Sequence, residues 1–208
     1  IRLTDTGGQN TYMTYDENGN VLTISNGDEI TGGYTYDENN LLISRVDSKG
    51  LKTTYNYDEN GLLIKETTDG LGSILYTYEN GMRVQVTDYN GNVTRFQYDD
   101  VGNLICTSDV LGIKEKKTYD SLRRISEVED ANGKRISYTY DKRGNIVREV
   151  DSASGEISYK YDNMNHRTAI HYPDGTGEKM EYDVLGNCTK KIHADGTVDS
   201  YNYDTVGN

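Results

Sequence analysis

The fold is decided by the stretch YNYDENGLL at residues 55–63. Tyr55 and Tyr57 alternate, and a period of two places both rings on one face of a β-strand. The Asp58 side chain can accept a hydrogen bond from the backbone two residues on, and Gly61 tolerates the positive φ that closes a type I turn with a bulge. The stretch therefore predicts a β-hairpin whose return strand begins at Leu62.

The same phrase recurs along the whole chain. Ten copies occur, one of which carries Tyr78-Glu79 in place of Tyr-Asp. We call the tyrosine that directly precedes this aspartate or glutamate the marker tyrosine. Consecutive marker tyrosines lie 21 residues apart, except for the 20-residue step from Tyr78 to Tyr98. A fixed period of this size is typical of repeat architectures, in which each unit buries its apolar surface against its neighbours. The predicted repeat-defining residues are Tyr15, Asp16, Tyr36, Asp37, Tyr57, Asp58, Tyr78, Tyr98, Asp99, Tyr119, Asp120, Tyr140, Asp141, Tyr161, Asp162, Tyr182, Asp183 and Tyr203.

This pattern predicts an all-β fold of tandem β-hairpins, joined side by side into a twisted, curved antiparallel sheet. We expect residues 1–208 to form a single array of about nine to ten repeats, truncated at both ends and cut from a longer protein. The two end strands of such an array expose unpaired backbone, so edge-to-edge self-association is expected.

The composition predicts a thin sheet. Hydrophobic residues make up 34% of the chain, the mean hydropathy is −0.81 and tryptophan is absent. Tyrosine must then carry much of the burial, with its ring packed and its hydroxyl in water. Two residues before each marker tyrosine stands a large apolar or aromatic residue in nine of the ten copies, which predicts that this face is buried. The exception is Lys117. Either its aliphatic stem lies along the surface with its charge in solvent, or the sheet is locally open at this position.

Charge and cysteine content exclude several protein classes. The formal net charge of −12 repels phosphate backbones and anionic lipids, so nucleic-acid binding is not expected. No run of apolar residues reaches the length needed to span a bilayer. Cys106 and Cys188 fall on return strands four repeats apart, and we expect two free thiols.

Departures from the repeat are local. Asn40 and Asn165 replace the turn glycine, and asparagine tolerates the left-handed conformation that the turn requires. Arg123 also replaces this glycine, and there we expect a different turn. A second turn, of the form Asp47-Ser48-Lys49-Gly50, closes each unit before the next pair of tyrosines.

The repeat resembles the YD repeat of the Rhs proteins, which is also present in the B and C components of insecticidal toxin complexes and in teneurins. The stretch GKRISYTYDKRGNI at residues 133–146 matches this repeat almost throughout, and the resemblance covers essentially the whole chain. It implies a hollow shell of β-hairpins that encloses a toxic domain or serves as an extracellular scaffold. The Asp/Pro-rich segment that ends the family's shell, with its self-cleaving aspartates, has no counterpart in this sequence.

Neither a catalytic nor a metal site stands out from the repeating background. The aspartates lack the spacing of an EF-hand or of a nine-residue calcium repeat, so they are interpreted as turn residues. His166, His171 and His193 are interpreted as exposed residues without a role. Catalysis needs one differentiated site, whereas each repeat offers nearly the same groups. We therefore predict no enzymatic activity, no metal and no cofactor.

Two functional classes remain. The first is a structural wall that encloses or displays a toxin, effector or cell-surface domain, with the remaining repeats and the C-terminal domain of the parent protein as partners. The alternative is a module that binds cell-wall or host glycans, because regularly spaced planar rings can stack on sugars. The family resemblance implies a location outside the cell or on the cell surface.

Overall fold

A computed structural model describes residues 2–4 and 10–204, and it is all-β over this part of the chain. Twenty strands are present there. Their bounds are β1 Arg2–Thr4, β2 Asn10–Tyr15, β3 Val21–Asn26, β4 Glu29–Tyr36, β5 Leu42–Asp47, β6 Lys52–Tyr57, β7 Leu63–Thr68, β8 Gly72–Glu79, β9 Met82–Thr87, β10 Val93–Tyr98, β11 Leu104–Asp109, β12 Gly112–Tyr119, β13 Ile125–Asp130, β14 Arg135–Tyr140, β15 Ile146–Asp151, β16 Gly155–Tyr161, β17 Arg167–His171, β18 Gly177–Tyr182, β19 Cys188–Ile192 and β20 Val198–Ser200.

The chain divides into two compact units, Ile1–Gln97 with Ser108–Leu111, and Tyr98–Thr107 with Gly112–Asn208. In the first unit each strand from β1 to β10 pairs antiparallel with the next strand of the chain. In the second unit the same holds from β12 to β20. The predicted tandem hairpins, joined side by side in sequence order, are confirmed in each unit.

Eight of the predicted hairpins carry a register shift next to their turn. In the hairpin of β6 and β7, Asn56 pairs with Lys65 whereas Tyr57 pairs with Leu63, so Ile64 is an extra residue on the return strand. Gly61, at the fourth turn position, has φ +79°. These features identify the type I turn with a bulge that the Asp-x-x-Gly pattern predicts.

The sheet buries little, as the composition predicts. Among the described residues only Ala169, Ile170 and Met180 are buried apolar side chains, and Thr53 and Thr68 are buried polar ones. Thr53 and Thr68 lie opposite each other on β6 and β7, with their hydroxyl oxygens 3.1 Å apart. The small core is therefore placed at a few cross-strand contacts rather than in a separate layer.

The predicted burial of the tyrosine face is only partly correct. Of the positions two before the markers, Met180 is buried, but Tyr55, Tyr76 and Tyr138 are half-buried and Tyr201 is 42% exposed. A sheet without a second layer covers each ring only by its neighbours on the same face. Lys117 is half-buried and its charge is paired, because its Nζ lies 2.5 Å from Glu115 Oε2.

Candidate functional site

The feature that recurs in both units is a turn closed by an aspartate. Asp58 Oδ1 accepts the backbone N–H groups of Asn60 at 2.9 Å and Leu62 at 2.8 Å, while the Gly61 N–H donates to the Asp58 carbonyl at 3.0 Å. One carboxylate oxygen thus satisfies two backbone donors that the turn would leave without a partner. The same pair of bonds is made by Asp16, Asp37, Asp99, Asp120, Asp141, Asp162 and Asp183.

In six of these eight aspartates the second carboxylate oxygen is bonded by the side chain four residues on. Asn103 Nδ2 donates to Asp99 Oδ2 at 2.8 Å, and the equivalent bonds join Asn145 to Asp141 and Asn187 to Asp183 at 3.0 Å. These amide bonds, together with those from the backbone, hold the pKa values of the three aspartates below the ordinary value. The carboxylates are consumed by the turns and are poorly suited to proton transfer.

The capped turns predict a loss of stability in acid. The pKa of Asp151 is lowered to about 2, first by the Lys134 side chain, and the pKa values of Asp99, Asp141 and Asp183 are lowered as well. A carboxylate whose folded-state pKa is depressed stabilises the fold above its unfolded-state pKa, and that stabilisation is lost as the pH falls through the folded-state value. The melting temperature should therefore be level above about pH 5 and fall between about pH 4 and pH 2.

Circular dichroism melts across this pH range measure the effect. Asp141→Asn should keep the turn, because asparagine also accepts backbone hydrogen bonds, and should make the acid-dependent part of the melting curve smaller. Asp28→Asn is the matched control, since the Asp28 carboxylate has no hydrogen bond in the described chain. A melting temperature that stays level down to pH 2 would contradict the role of the capped turns.

Arg123 corrects one sequence prediction. The turn that contains it is the ordinary one: the Arg123 N–H donates to the Asp120 carbonyl at 2.9 Å, and Arg123 adopts φ +63°. A left-handed arginine costs roughly 1 kcal/mol of conformational free energy. Its side chain offsets this cost, because Nε donates to Asn103 Oδ1 at 3.1 Å and Nη2 donates to the Val101 carbonyl of the preceding turn. Asn40 and Asn165, with φ +63° and +69°, confirm the prediction that asparagine replaces glycine there.

The tyrosine hydroxyls correct a second prediction, because at least ten of the described ones have a partner within the protein. Five of these hydroxyls make the same bond between hairpins. Tyr57 Oη donates to the Leu42 carbonyl at 2.9 Å, which joins one hairpin to the preceding one. The acceptor is the first residue of β5, beyond the last ladder pair between β5 and β6, Ser44 with Thr54. The same bond, to the carbonyl fifteen residues earlier, is made by Tyr119, Tyr140, Tyr182 and Tyr203.

The marker Tyr78 introduces a different turn. Glu79 pairs directly with Met82, so Asn80 and Gly81 form a two-residue loop with φ +50° and +76°. Positive φ at both positions is the type I′ turn, for which Asn-Gly is the strongest sequence signal. This shorter turn accounts for the 20-residue step from Tyr78 to Tyr98, and the Asn-Gly dipeptide could have predicted it.

Two of the three histidines have structural partners, contrary to the prediction that they are exposed without a role. His166 Nδ1 lies 3.0 Å from Asp162 Oδ2, and its ring stacks on Tyr182 of the next hairpin with centroids 4.7 Å apart. His193 Nε2 lies 2.7 Å from Asp199 Oδ2. Both rings serve local packing and turn closure, and His171 is exposed.

The grooves on the surface repeat with the hairpins. A groove of about 550 Å³ lies in the first unit between the turns of Asp37 and Asp58. An equivalent groove of about 480 Å³ lies in the second unit between the turns of Asp141 and Asp162. Eight repeat positions line both grooves, so neither groove presents a constellation that is particular to one place in the chain.

Over residues 2–4 and 10–204 the side chains that could ligate a metal do not gather into one site. In this part of the chain no three histidine, cysteine, aspartate or glutamate side chains are grouped as a metal site would require. Cys106 and Cys188 are free thiols on the return strands β11 and β19. The described residues also contain no helix that is long and apolar enough to cross a membrane.

Comparison with sequence families gives two matches that cover most of the chain. A model described as RHS Repeat matches residues 36–74 and 76–114. A model described as Teneurin YD-shell matches residues 113–208. No curated protein sequence matches the chain.

Solved structures that contain TcdB2-TccC3 or the Tc holotoxin pore share the fold. The TcdB2-TccC3 structure without its hypervariable C-terminal region is 14% identical, with a TM-score of 0.75 over 92% of this chain and 12% of that one. The TcdB2-TccC3-Cdc42 structure has the same identity and coverage, with a TM-score of 0.74. The Photorhabdus luminescens Tc holotoxin pore is 15% identical, with a TM-score of 0.59 over 96% of this chain and 15% of that one. The chain thus spans less than a sixth of the length of the structures that it matches.

Proposed function

Because this chain belongs to the Rhs/YD-repeat family, we propose that it is a non-catalytic segment of a shell wall, which encloses or displays another domain of its parent protein. In this proposal residues 1–208 form one continuous array of repeats, and the tyrosines and aspartates that define the repeat are structural. The partners are the remaining repeats and the C-terminal domain of the parent.

The observation that carries this proposal is the use of the polar groups. Eight turn aspartates each bind two backbone N–H groups through one oxygen, as Asp58 does, and five tyrosine hydroxyls join neighbouring hairpins, as Tyr57 does. Groups that hold the backbone in this way are not free to act on a substrate. The proposal therefore assigns no enzymatic activity to this segment.

Exposure of the tyrosine rings favours the wall over the glycan-binding alternative. Among the described tyrosines, the exposed ones are Tyr12, Tyr15, Tyr201 and Tyr203, all close to the chain ends. Rings that stack on sugars need a free face, and the inner tyrosines are half-covered by their neighbours. A glycan array probed with the purified chain should give no signal above background, and reproducible binding to one sugar class would favour the alternative.

A protease-protection experiment on the complete parent protein tests enclosure. An enclosed domain should survive a protease concentration that digests the same domain when expressed alone. Gly177→Ala, which disturbs the pairing of β17 with β18 for the reasons given in the Discussion, should make the enclosed domain digestible, whereas Gly33→Ala should leave it protected. Equal digestion in the wild-type shell and in isolation would rule out enclosure.

The proposed location is outside the cell or on the cell surface. A wall that carries a toxin or displays a surface domain acts there, and its Asp-capped turns tolerate a wide range of salt because they are made of short hydrogen bonds rather than distant charge pairs. Surface labelling of intact cells that express the complete protein tests this location, and exclusive recovery in the cytosol would contradict it.

A further inference from the structure

The chain contains six Asn-Gly dipeptides, and all of them lie at turns. In an Asn-Gly pair the glycine nitrogen can attack the asparagine amide carbon, because glycine has no side chain to hinder the approach. The reaction needs an amide nitrogen that can lose its proton and a backbone that can bring it to the side chain. The structure separates the six sites on both requirements.

In four of the six dipeptides the glycine N–H is already bonded. These are the type I turns, where Gly61, Gly91 and Gly133 donate to the carbonyl of the turn aspartate at 3.0 Å and Gly19 does so at 3.2 Å. The preceding asparagine N–H donates to the same aspartate, as Asn60 does to Asp58 at 2.9 Å. Attack would therefore require breaking the hydrogen bonds that close the turn.

Asn26-Gly27 lacks the glycine hydrogen bond, but its asparagine is held by the sheet. Asn26 pairs with Thr11 on one side and with Glu29 on the other. Its side-chain oxygen accepts the Thr11 hydroxyl at 3.2 Å. Rotation of the Asn26 backbone toward Gly27 would disturb both strand pairings.

Asn80-Gly81 is under neither constraint. The pair of Glu79 with Met82 is the last of its ladder, so Asn80 lies outside the sheet. The Gly81 N–H has no hydrogen-bond partner in the described part of the chain. No atom lies within 4 Å of the position that a β-carbon of residue 81 would take, so the turn is not crowded.

We propose that Asn80 is a modification site, at which the Asn80-Gly81 turn deamidates spontaneously ahead of the other five Asn-Gly dipeptides. Solvent hydroxide takes the proton of the Gly81 nitrogen, which then forms a bond to the Asn80 side-chain carbonyl carbon. The bond from that carbon to the amide nitrogen breaks, and ammonia leaves with a proton from water. Water then opens the five-membered imide at either carbonyl, giving aspartate or isoaspartate, and no electron transfer is involved.

The product changes the turn in two ways. Either opening places a carboxylate at residue 80 beside Glu79, and like charges so close repel each other. Isoaspartate also adds one carbon atom to the backbone of a loop that has only two residues. The hydrogen bonds between β8 and β9 should therefore break more often near this turn. Amide hydrogen exchange of Met82 and Glu79 should become faster as the modification accumulates.

Peptide mapping by mass spectrometry tests the proposal on the wild-type chain. The folded chain is held at mildly alkaline pH, and the conversion of each Asn-Gly dipeptide is followed over time. Asn80 should react about tenfold faster than Asn18, Asn60, Asn90 or Asn132, the rate equivalent of about one net hydrogen bond. Equal rates, or faster conversion at any of the other five sites, would overturn the proposal.

The same chain unfolded in urea is the matched control. Without hydrogen bonds and turns the six dipeptides should react at similar rates, so the advantage of Asn80 should disappear. If Asn80 remained the fastest site in the unfolded chain, the local sequence rather than the turn would be responsible, and the structural argument would fail.

Discussion

Gly177→Ala is expected to destabilise the second unit strongly. Gly177 begins β18 opposite His171, and a β-carbon at this position would overlap the carbonyl oxygen of Ile170. A backbone oxygen of a paired strand cannot move aside as a flexible side chain can. The strand that must shift also carries Ala169 and Ile170, two of the few buried apolar residues. The expected cost is about 3 kcal/mol of unfolding free energy.

Gly33→Ala is the matched control. Gly33 also lies inside a strand, but nothing stands within 4 Å of the place its β-carbon would take, and its φ is not in the left-handed region. Alanine there should be neutral or stabilising by up to about 1 kcal/mol. Urea unfolding followed by circular dichroism compares the two variants. A Gly177→Ala chain as stable as the Gly33→Ala chain would refute the close contact between β17 and β18.

Removal of four inter-hairpin tyrosine bonds is the second large effect. The variant carries phenylalanine at positions 57, 119, 140 and 182, each of which loses the bond to a carbonyl fifteen residues earlier. Each loss removes one hydrogen bond and leaves a carbonyl beneath an aromatic ring, at a cost of about 1 kcal/mol. The four sites share no partner, so the costs should add to about 4 kcal/mol.

The control makes the same chemical change where no bond is lost. Tyr34, Tyr55, Tyr138 and Tyr161 have no hydroxyl hydrogen bond within the described residues, and their replacement by phenylalanine should leave stability within about 1 kcal/mol of the wild type. Tyr140→Phe and Tyr138→Phe are the best matched single variants to compare, because both residues lie on β14. Equal urea midpoints for the two fourfold variants would show that these bonds do not hold the hairpins together.

The repeat and the hairpin could be predicted from the sequence because both depend on residues that are close together in the chain. Alternating tyrosines such as Tyr55 and Tyr57 specify a strand, and aspartate followed three residues later by glycine specifies the turn. The structure adds the hydrogen bonds within these turns, such as those to both carboxylate oxygens of Asp99, and the turns lie where the sequence places them. The sequential pairing of hairpins follows because the repeats have nearly the same length.

The missed features depend on partners that are distant in sequence. A tyrosine hydroxyl that bonds a carbonyl fifteen residues earlier, as Tyr140 bonds Ile125, leaves no mark at either position. The sequence predicts a changed turn at Arg123 because a left-handed backbone is unfavourable for arginine. The bond to Asn103 that compensates for this cost reaches another turn. The turn of Asn80 and Gly81, in contrast, had a known local signal that the tyrosine marker obscured.

Electron cryo-microscopy of the complete parent protein tests the central claim most directly. If this chain is a segment of a wall, residues 10–204 should appear as successive Asp-capped hairpins paired in sequence order, with further repeats beside them and an enclosed or displayed domain on one face. Hairpins that pair out of sequence order, or density for a bound substrate at one differentiated pocket within these residues, would contradict the account.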